Sequence, residues 1–369
     1  MRFKKVASAT YKVQFLLILD LYRSPEVVIL ARFLQVMNRE RALLLDIYRI
    51  FLCVGVVVYH YFWPRPACGP FMVNGFLVMS GFLVGMMFKE RSEFDSTRFY
   101  ASKVRRLLPL FLLAIVVGLL HRMYEGCLLP EWGAGQWAHI SISELLLHWN
   151  TPLWYMAVEC ALLFMVPFFY YLHRFRFGMA GGCIVALVIT WGLFSCVPDC
   201  APFGEGLYYS PLARCWQFMA GILASGLCVF LCQRRVEKSC LFKGATLLLF
   251  AVFAAVAVVL MSVLQKEELN YYNYTFSFDL LTTAFYCLLI PCLFAFGGVV
   301  NNAFSAFVNK AALLTYPVFL FHVPVYHFTC DAIETYYGYP EKWVFRSVAA
   351  LVTLALSLLL LRLEKRCLG

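Results

Sequence analysis

Charge is what this sequence has least of. Asp, Glu, Lys and Arg make up 14% of its 369 residues, too few to cover the surface of a soluble protein of that size. Cys-x2-Cys pairs and Cys/His clusters with metal-ligand spacing are missing, so no metal is expected. No internal repeat appears at a convincing period, which weighs against transporters built from duplicated halves. The apolar run at 13–19 lacks an Ala-x-Ala cleavage pattern, so a signal peptide is not expected. A net charge of +10 raises the question of nucleic acid. The basic residues, however, sit in short segments between apolar runs, where membrane topology accounts for them, and no nucleic-acid partner is expected.

What is present is grease. Apolar residues reach 62% and aromatics 17%, with a mean hydropathy of +0.75. This composition predicts an all-α, polytopic membrane helix bundle. Ten apolar segments can be read, at about 43–63, 70–88, 107–121, 153–172, 179–196, 211–232, 244–264, 278–300, 311–330 and 343–361. Alternate connections and the tail hold sixteen Lys and Arg, the others four. That bias places both termini in the cytoplasm. Most of the 15 cysteines lie inside apolar runs, where a free thiol packs as a small hydrophobe. Cys196 and Cys200 flank a Pro-containing outer loop, and whether they pair is left open.

Residues 1–40 form a basic extension, read either as an amphipathic helix on the inner face or as untranslated if synthesis starts at Met37. Residues 41–369 form the membrane domain. Its organising stretch runs from Arg41 to Pro109. The first span carries three ionisable residues, Asp46, Arg49 and His60. Such groups are costly in lipid unless paired or hydrated, and their presence is a hypothesis of function. Asp46 and Arg49 are three apart, the spacing of helix neighbours. Arg49 and His60 are eleven apart, close to three turns, and so share one stripe with about 16 Å between them along the axis. The plainer reading is a helix-packing ion pair plus a histidine in the Tyr59/Tyr61/Trp63 interfacial belt.

The second span has small residues at Gly75, Ser80, Gly81 and Gly85, which allow close helix packing. Lys103, Arg105 and Arg106 follow just inside the membrane. Basic clusters there bind lipid phosphates as a matter of course, and they would equally hold the phosphates of a nucleotide cofactor. The outer connections are rich in acids and aromatics, which suits carbohydrate as well as an ordinary interfacial belt. Within the longest, 122–152, Ser141 to His148 has helix periodicity and reads as an amphipathic cover.

Several ordered pieces resemble the acyltransferase-3 family of integral membrane acyltransferases. They are Leu45-Asp46-x-x-Arg49, the ten-residue gap to His60, Ser80-Gly81-Phe82-Leu83, and Phe99-Tyr100-x-x-Lys103-x-x-Arg106-x-x-Pro109. Later come Leu153-Trp154 with Glu159 and Pro167, Arg214-x-Trp216-x-Phe218-x-x-Gly221, and Tyr316-x-x-x-Leu320-x-His322-x-Pro324. Lys103 departs from the family's usual arginine and loses the planar fork. The resemblance implies transfer of an acyl group, most often acetyl from acetyl-CoA, to a hydroxyl of a cell-envelope glycan or lipid-linked sugar in a bacterial-type inner membrane. With no soluble hydrolase-like domain after the last span, it implies a stand-alone membrane enzyme.

The roles expected from that resemblance and from position are as follows. His60 is the general base, and Asp46 and Arg49 orient each other along the acyl-CoA route. Glu159 orients His60 or holds acceptor hydroxyls, while Arg214 neutralises Glu159 or stabilises charge on the thioester oxygen. Trp154 and Ser80 contact substrate, and Lys103, Arg105 and Arg106 anchor phosphates. His322 is a second catalytic candidate, or else a packing histidine bonded to a neighbouring helix. Asp279, His327 and Arg346 read as snorkelling at the outer boundary. The rival functions are a transporter or flippase of an envelope lipid or polyol, and the same fold carrying succinyl or a longer acyl group. Oligomeric state is left open.

Overall fold

The computed structural model describes residues 43–62, 68–90, 93–124, 153–196, 209–234, 239–262, 271–296, 302–337 and 342–368. The basic extension with Met37, the amphipathic cover at Ser141 to His148, and Cys200 lie outside the described residues. Those described form eleven helices and no strand. They are α1 (Leu43–Tyr61), α2 (Cys68–Glu90), α3 (Ser96–Tyr124), α4 (Leu153–Phe164), α5 (Val166–Arg174), α6 (Gly178–Cys196), α7 (Pro211–Gln233), α8 (Cys240–Ser262), α9 (Tyr271–Phe296), α10 (Asn302–Tyr337) and α11 (Lys342–Leu368). Helix is the form that satisfies every backbone donor and acceptor within one segment, which a lipid environment demands.

All or most of each of the ten apolar segments is helical in this set. By length and composition seven helices qualify as spans, and α4 with α5 make an eighth if the bent pair crosses as one. The bend is 46°, and its cause is local. Pro167 lacks the N–H that would continue the ladder and its ring crowds the preceding turn, so the helix breaks at Met165. The segment 107–121 continues from a charged first half in α3, and in α8 the apolar stretch Cys240–Val256 is too short to count among the seven.

The seam that organises the bundle joins α2 to α7. A methyl group placed on Gly81 would lie 1.9 Å from the carbonyl oxygen of Phe218, and one on Gly221 would lie 2.2 Å from that of Val78. Each helix thus offers a glycine to the other's backbone, the close approach expected of small residues in lipid. Along the same seam Gly85 meets Ile222 and Ser225. On the other side of α2, Gly75 receives Tyr48 and Leu52 of α1, while Gly55 of α1 receives Met72. Helix α10 packs on α1 and α11. The Tyr61 hydroxyl donates to the carbonyl of His322 at 2.6 Å and lies 2.8 Å from the Thr353 hydroxyl. Tyr316 of α10 donates to the Leu107 carbonyl of α3, and Tyr100 of α3 to the Phe164 carbonyl at the end of α4. The helices α2, α3, α4 and α10 thereby surround a common space.

Candidate active site

That space is a cavity of about 570 Å³. Three cations line it, Arg49 from α1 with Lys103 and Arg106 from α3, together with Ser80 of α2 and Glu159 of α4. Most of the remaining wall is apolar. Asp46 stands 3.8 Å from the Arg49 guanidinium, so the expected i, i+3 pair is formed. The Ser80 hydroxyl donates to Glu159 Oε1 and the Tyr155 hydroxyl to Oε2 at 3.3 Å. These two donors and the nearby cations answer the cost of burying that carboxylate. Lys103 also places its ammonium 5.5 Å from the centre of the Phe99 ring. Arg105 does not join them. It does not line the cavity, since a step of one residue along a helix turns the side chain by about 100°.

His60 and His322 form a second cluster, with ring centroids 5.1 Å apart. His322 Nδ1 lies 2.8 Å from the carbonyl oxygen of Phe319 and 3.2 Å from that of Val318, both on its own helix rather than a neighbour. Carbonyl oxygens only accept, so Nδ1 carries the proton and Nε2 keeps its lone pair. Among the described residues Nε2 is buried and has no partner. A simple packing histidine would have spent that nitrogen.

Neither histidine lines the cavity. This corrects the expectation that Glu159 meets His60. Glu159 faces Ser80, Tyr155 and the cations instead. Arg214 is corrected as well. It donates from Nη1 to Asp279 Oδ2 at 2.6 Å and to Gln217 Oε1 at 3.1 Å, and it does not line the cavity. Asp279 is no boundary snorkeller, because it is 3% exposed and also accepts from Asn74 at 2.6 Å. Gln217 donates on to Asn74 and Thr283, and Asn74 to Thr282. The result is a closed polar knot tying α2, α7 and α9. Trp154 packs its ring 4.9 Å from that of Tyr209 and lies off the cavity. His327 is exposed as expected, and Arg346 stands over the Phe62 ring at 5.9 Å.

A family model described as an acyltransferase domain matches residues 43–362, taking in every one of these groups. The chain belongs to the acyltransferase-3 family. As an acyltransferase-3 protein it is also similar to the O-acetyltransferase OatA of Staphylococcus aureus, strains NCTC 8325 / PS 47 and COL. The identity to each is 22% over 323 residues, covering 79% of this chain and 51% of the relative. The chain therefore spans about half the length of the curated relatives it matches. No solved structure matches it.

Sequence reasoning missed Asn74, Gln217, Thr282 and Thr283. A signal was there, because polar side chains inside apolar runs seek partners across helices, and Gln217 is one turn from Arg214. It also missed Phe76, Tyr155 and Phe319, which line the cavity and pack on one another. In a chain this rich in aromatics, nothing sets those three rings apart.

Proposed function

We propose that this acyltransferase-3 protein transfers an acetyl group from acetyl-CoA to a hydroxyl of a cell-envelope glycan or lipid-linked sugar. It would work in a bacterial-type inner membrane with the Lys103 and Arg106 end toward the cytoplasm. The observation that carries the reading is the make-up of the cavity, whose wall bears three cations and is otherwise mostly apolar. An acyl-CoA has matching parts, with phosphates at one end of a long arm and a small acyl group at the other. The sixteen-to-four distribution of Lys and Arg supports the orientation, and the relatives' name supports acetyl as the group and oxygen as the acceptor atom.

In this reading Lys103 and Arg106 hold phosphate oxygens, and Arg49, set by Asp46, extends the positive field inward. The thioester supplies an activated acyl carbon. The chain's own residues supply the proton chemistry. His60 takes the proton as the hydroxyl oxygen bonds the acyl carbon and the C–S bond breaks, and that proton passes to the departing thiolate, which leaves as CoA thiol. The His322 ring stands beside His60 with centroids 5.1 Å apart. Glu159 and Ser80 fix groups at the cavity wall. The Arg214 knot holds helices and takes no part in the reaction.

The test uses the purified protein in lipid nanodiscs, acetyl-CoA, and an envelope-glycan fraction from the native host. Thiol should be released only when the glycan fraction is present, and the ester should appear on the glycan. His60→Ala should abolish both while inserting at the normal level. Normal glycan acetylation by that variant would remove His60 from the mechanism, and no thiol release by the wild type would remove the function.

A further inference from the structure

On three of the helices around the cavity, the lining stretch ends on an aromatic residue. On α2 it is Phe76, beyond Met79, Ser80 and Leu83. On α4 it is Tyr155, beyond Glu159 and Leu163. On α10 it is Phe319, beyond Ala312 and Tyr316. The three rings meet one another, with centroids 5.9 Å apart for Phe76 and Tyr155, 6.0 Å for Phe76 and Phe319, and 5.4 Å for Tyr155 and Phe319. These are van der Waals separations for edge and tilted aromatic pairs and leave no open channel between the rings. Phe319 also lies 6.1 Å from the ring of His322. The three side chains therefore stand as a partition, with Arg49, Ser80, Lys103 and Glu159 on one side and the His60/His322 pair on the other.

We infer that this partition is the acyl-selectivity element of the enzyme. It passes a two-carbon acyl group from the cavity toward the histidines and holds back longer chains. The inference rests on the function proposed above, in which the acyl group enters past Lys103 and reacts at the histidines. The rings differ in how they are held. Tyr155 is tethered through its hydroxyl to Glu159. Phe76 and Phe319 have no such tether among the described residues, so either can turn aside by a change of rotamer. A short group passes when one ring swings. A chain of four or more carbons must displace two rings together, against the tethered Tyr155. An apolar opening of this kind discriminates by size alone, and one methylene there is worth roughly 10- to 200-fold.

The experiment compares acetyl-CoA, butyryl-CoA and octanoyl-CoA as donors to the same envelope-glycan fraction, using wild type, Phe76→Ala, Phe76→Leu and Phe319→Leu in nanodiscs. The readout is the ratio of kcat/KM for each longer donor to that for acetyl-CoA, which does not depend on how much of a variant folds. Wild type should strongly favour acetyl. Phe76→Ala should raise the butyryl-to-acetyl ratio by about tenfold or more, and the two leucine variants by less. An unchanged ratio with a fall in acetyl turnover would make the rings ordinary packing and overturn the inference. A wild type that uses octanoyl as readily as acetyl would also overturn it. If the wild type releases no thiol from any of the three donors, the proposed function fails and this inference fails with it.

Discussion

Arg214 and Asp279 are joined through Nη1 and Oδ2 at 2.6 Å, 65 residues apart in sequence and almost wholly withdrawn from solvent. Breaking a buried pair by removing one partner strands the other charge, at a typical cost of about 3–5 kcal/mol. Arg214→Ala and Asp279→Ala should each lower the melting temperature of the detergent-solubilised protein sharply. The double variant Arg214→Met/Asp279→Leu should recover most of that loss, because it removes both charges. A double variant as unstable as the singles would show that the pair does more than tie helices.

The glycine seam makes a sharper demand. Gly81→Ala drives a methyl into the carbonyl of Phe218, whereas Gly226→Ala on α7 meets nothing within 4 Å. The first should cost about 1–3 kcal/mol as an overpacking substitution, and the second should be neutral or slightly stabilising. Unfolding curves of the two variants side by side check this.

Arg105 and Arg106 are adjacent in sequence, yet only Arg106 faces the cavity. If Arg106 binds phosphate, Arg106→Ala should raise the KM for acyl-CoA by roughly 10-fold or more, the worth of a charge-assisted hydrogen bond of about 1.5–3 kcal/mol. The KM for the acceptor should barely move. Arg105→Ala should change both by less than about twofold, as befits a surface residue that does not line the cavity. Steady-state kinetics with each substrate varied in turn will separate the two arginines.

Tyr61 braces the histidine pair by donating to the backbone carbonyl of His322 and meeting the Thr353 hydroxyl. Tyr61→Phe keeps the ring and loses both bonds, so a destabilisation of about 1–2 kcal/mol is expected. If the brace also holds His322 in register with His60, kcat should fall more than KM for acetyl-CoA rises. Equal losses in both would confine Tyr61 to stability.

Much of this protein is legible in one dimension because lipid imposes a strict rule on it. A segment that crosses must be apolar and helical, so the ten runs, the all-helical fold and the cost of Asp46, Arg49 and His60 can all be read directly. Spacing along one helix is equally legible, and the Asp46–Arg49 pair forms as three-residue spacing predicts. Partners on different helices cannot be read that way. Depth along the spans pairs Glu159 with His60 and Arg214 with Glu159, since all three fall toward the outer ends of their runs. Depth in a membrane says nothing about which way a side chain points around its helix, and rotation sends Glu159 to Ser80 and Arg214 to Asp279.

By itself, the amino-acid sequence determined a helical membrane acyltransferase with its candidate site groups on the first, second, fourth, sixth and ninth apolar runs and on the basic segment just before the third. Local physics suffices for that, since hydrophobic length, helical period and motif order are properties of neighbours along the chain. Only the tertiary structure decided that the cations gather around one cavity, that the histidines pair beyond it, and that three aromatic rings stand between. Those relations depend on how each helix is turned about its axis. The turning is set by the glycine seam between α2 and α7 and by the polar knot around Arg214, contacts between residues far apart in sequence.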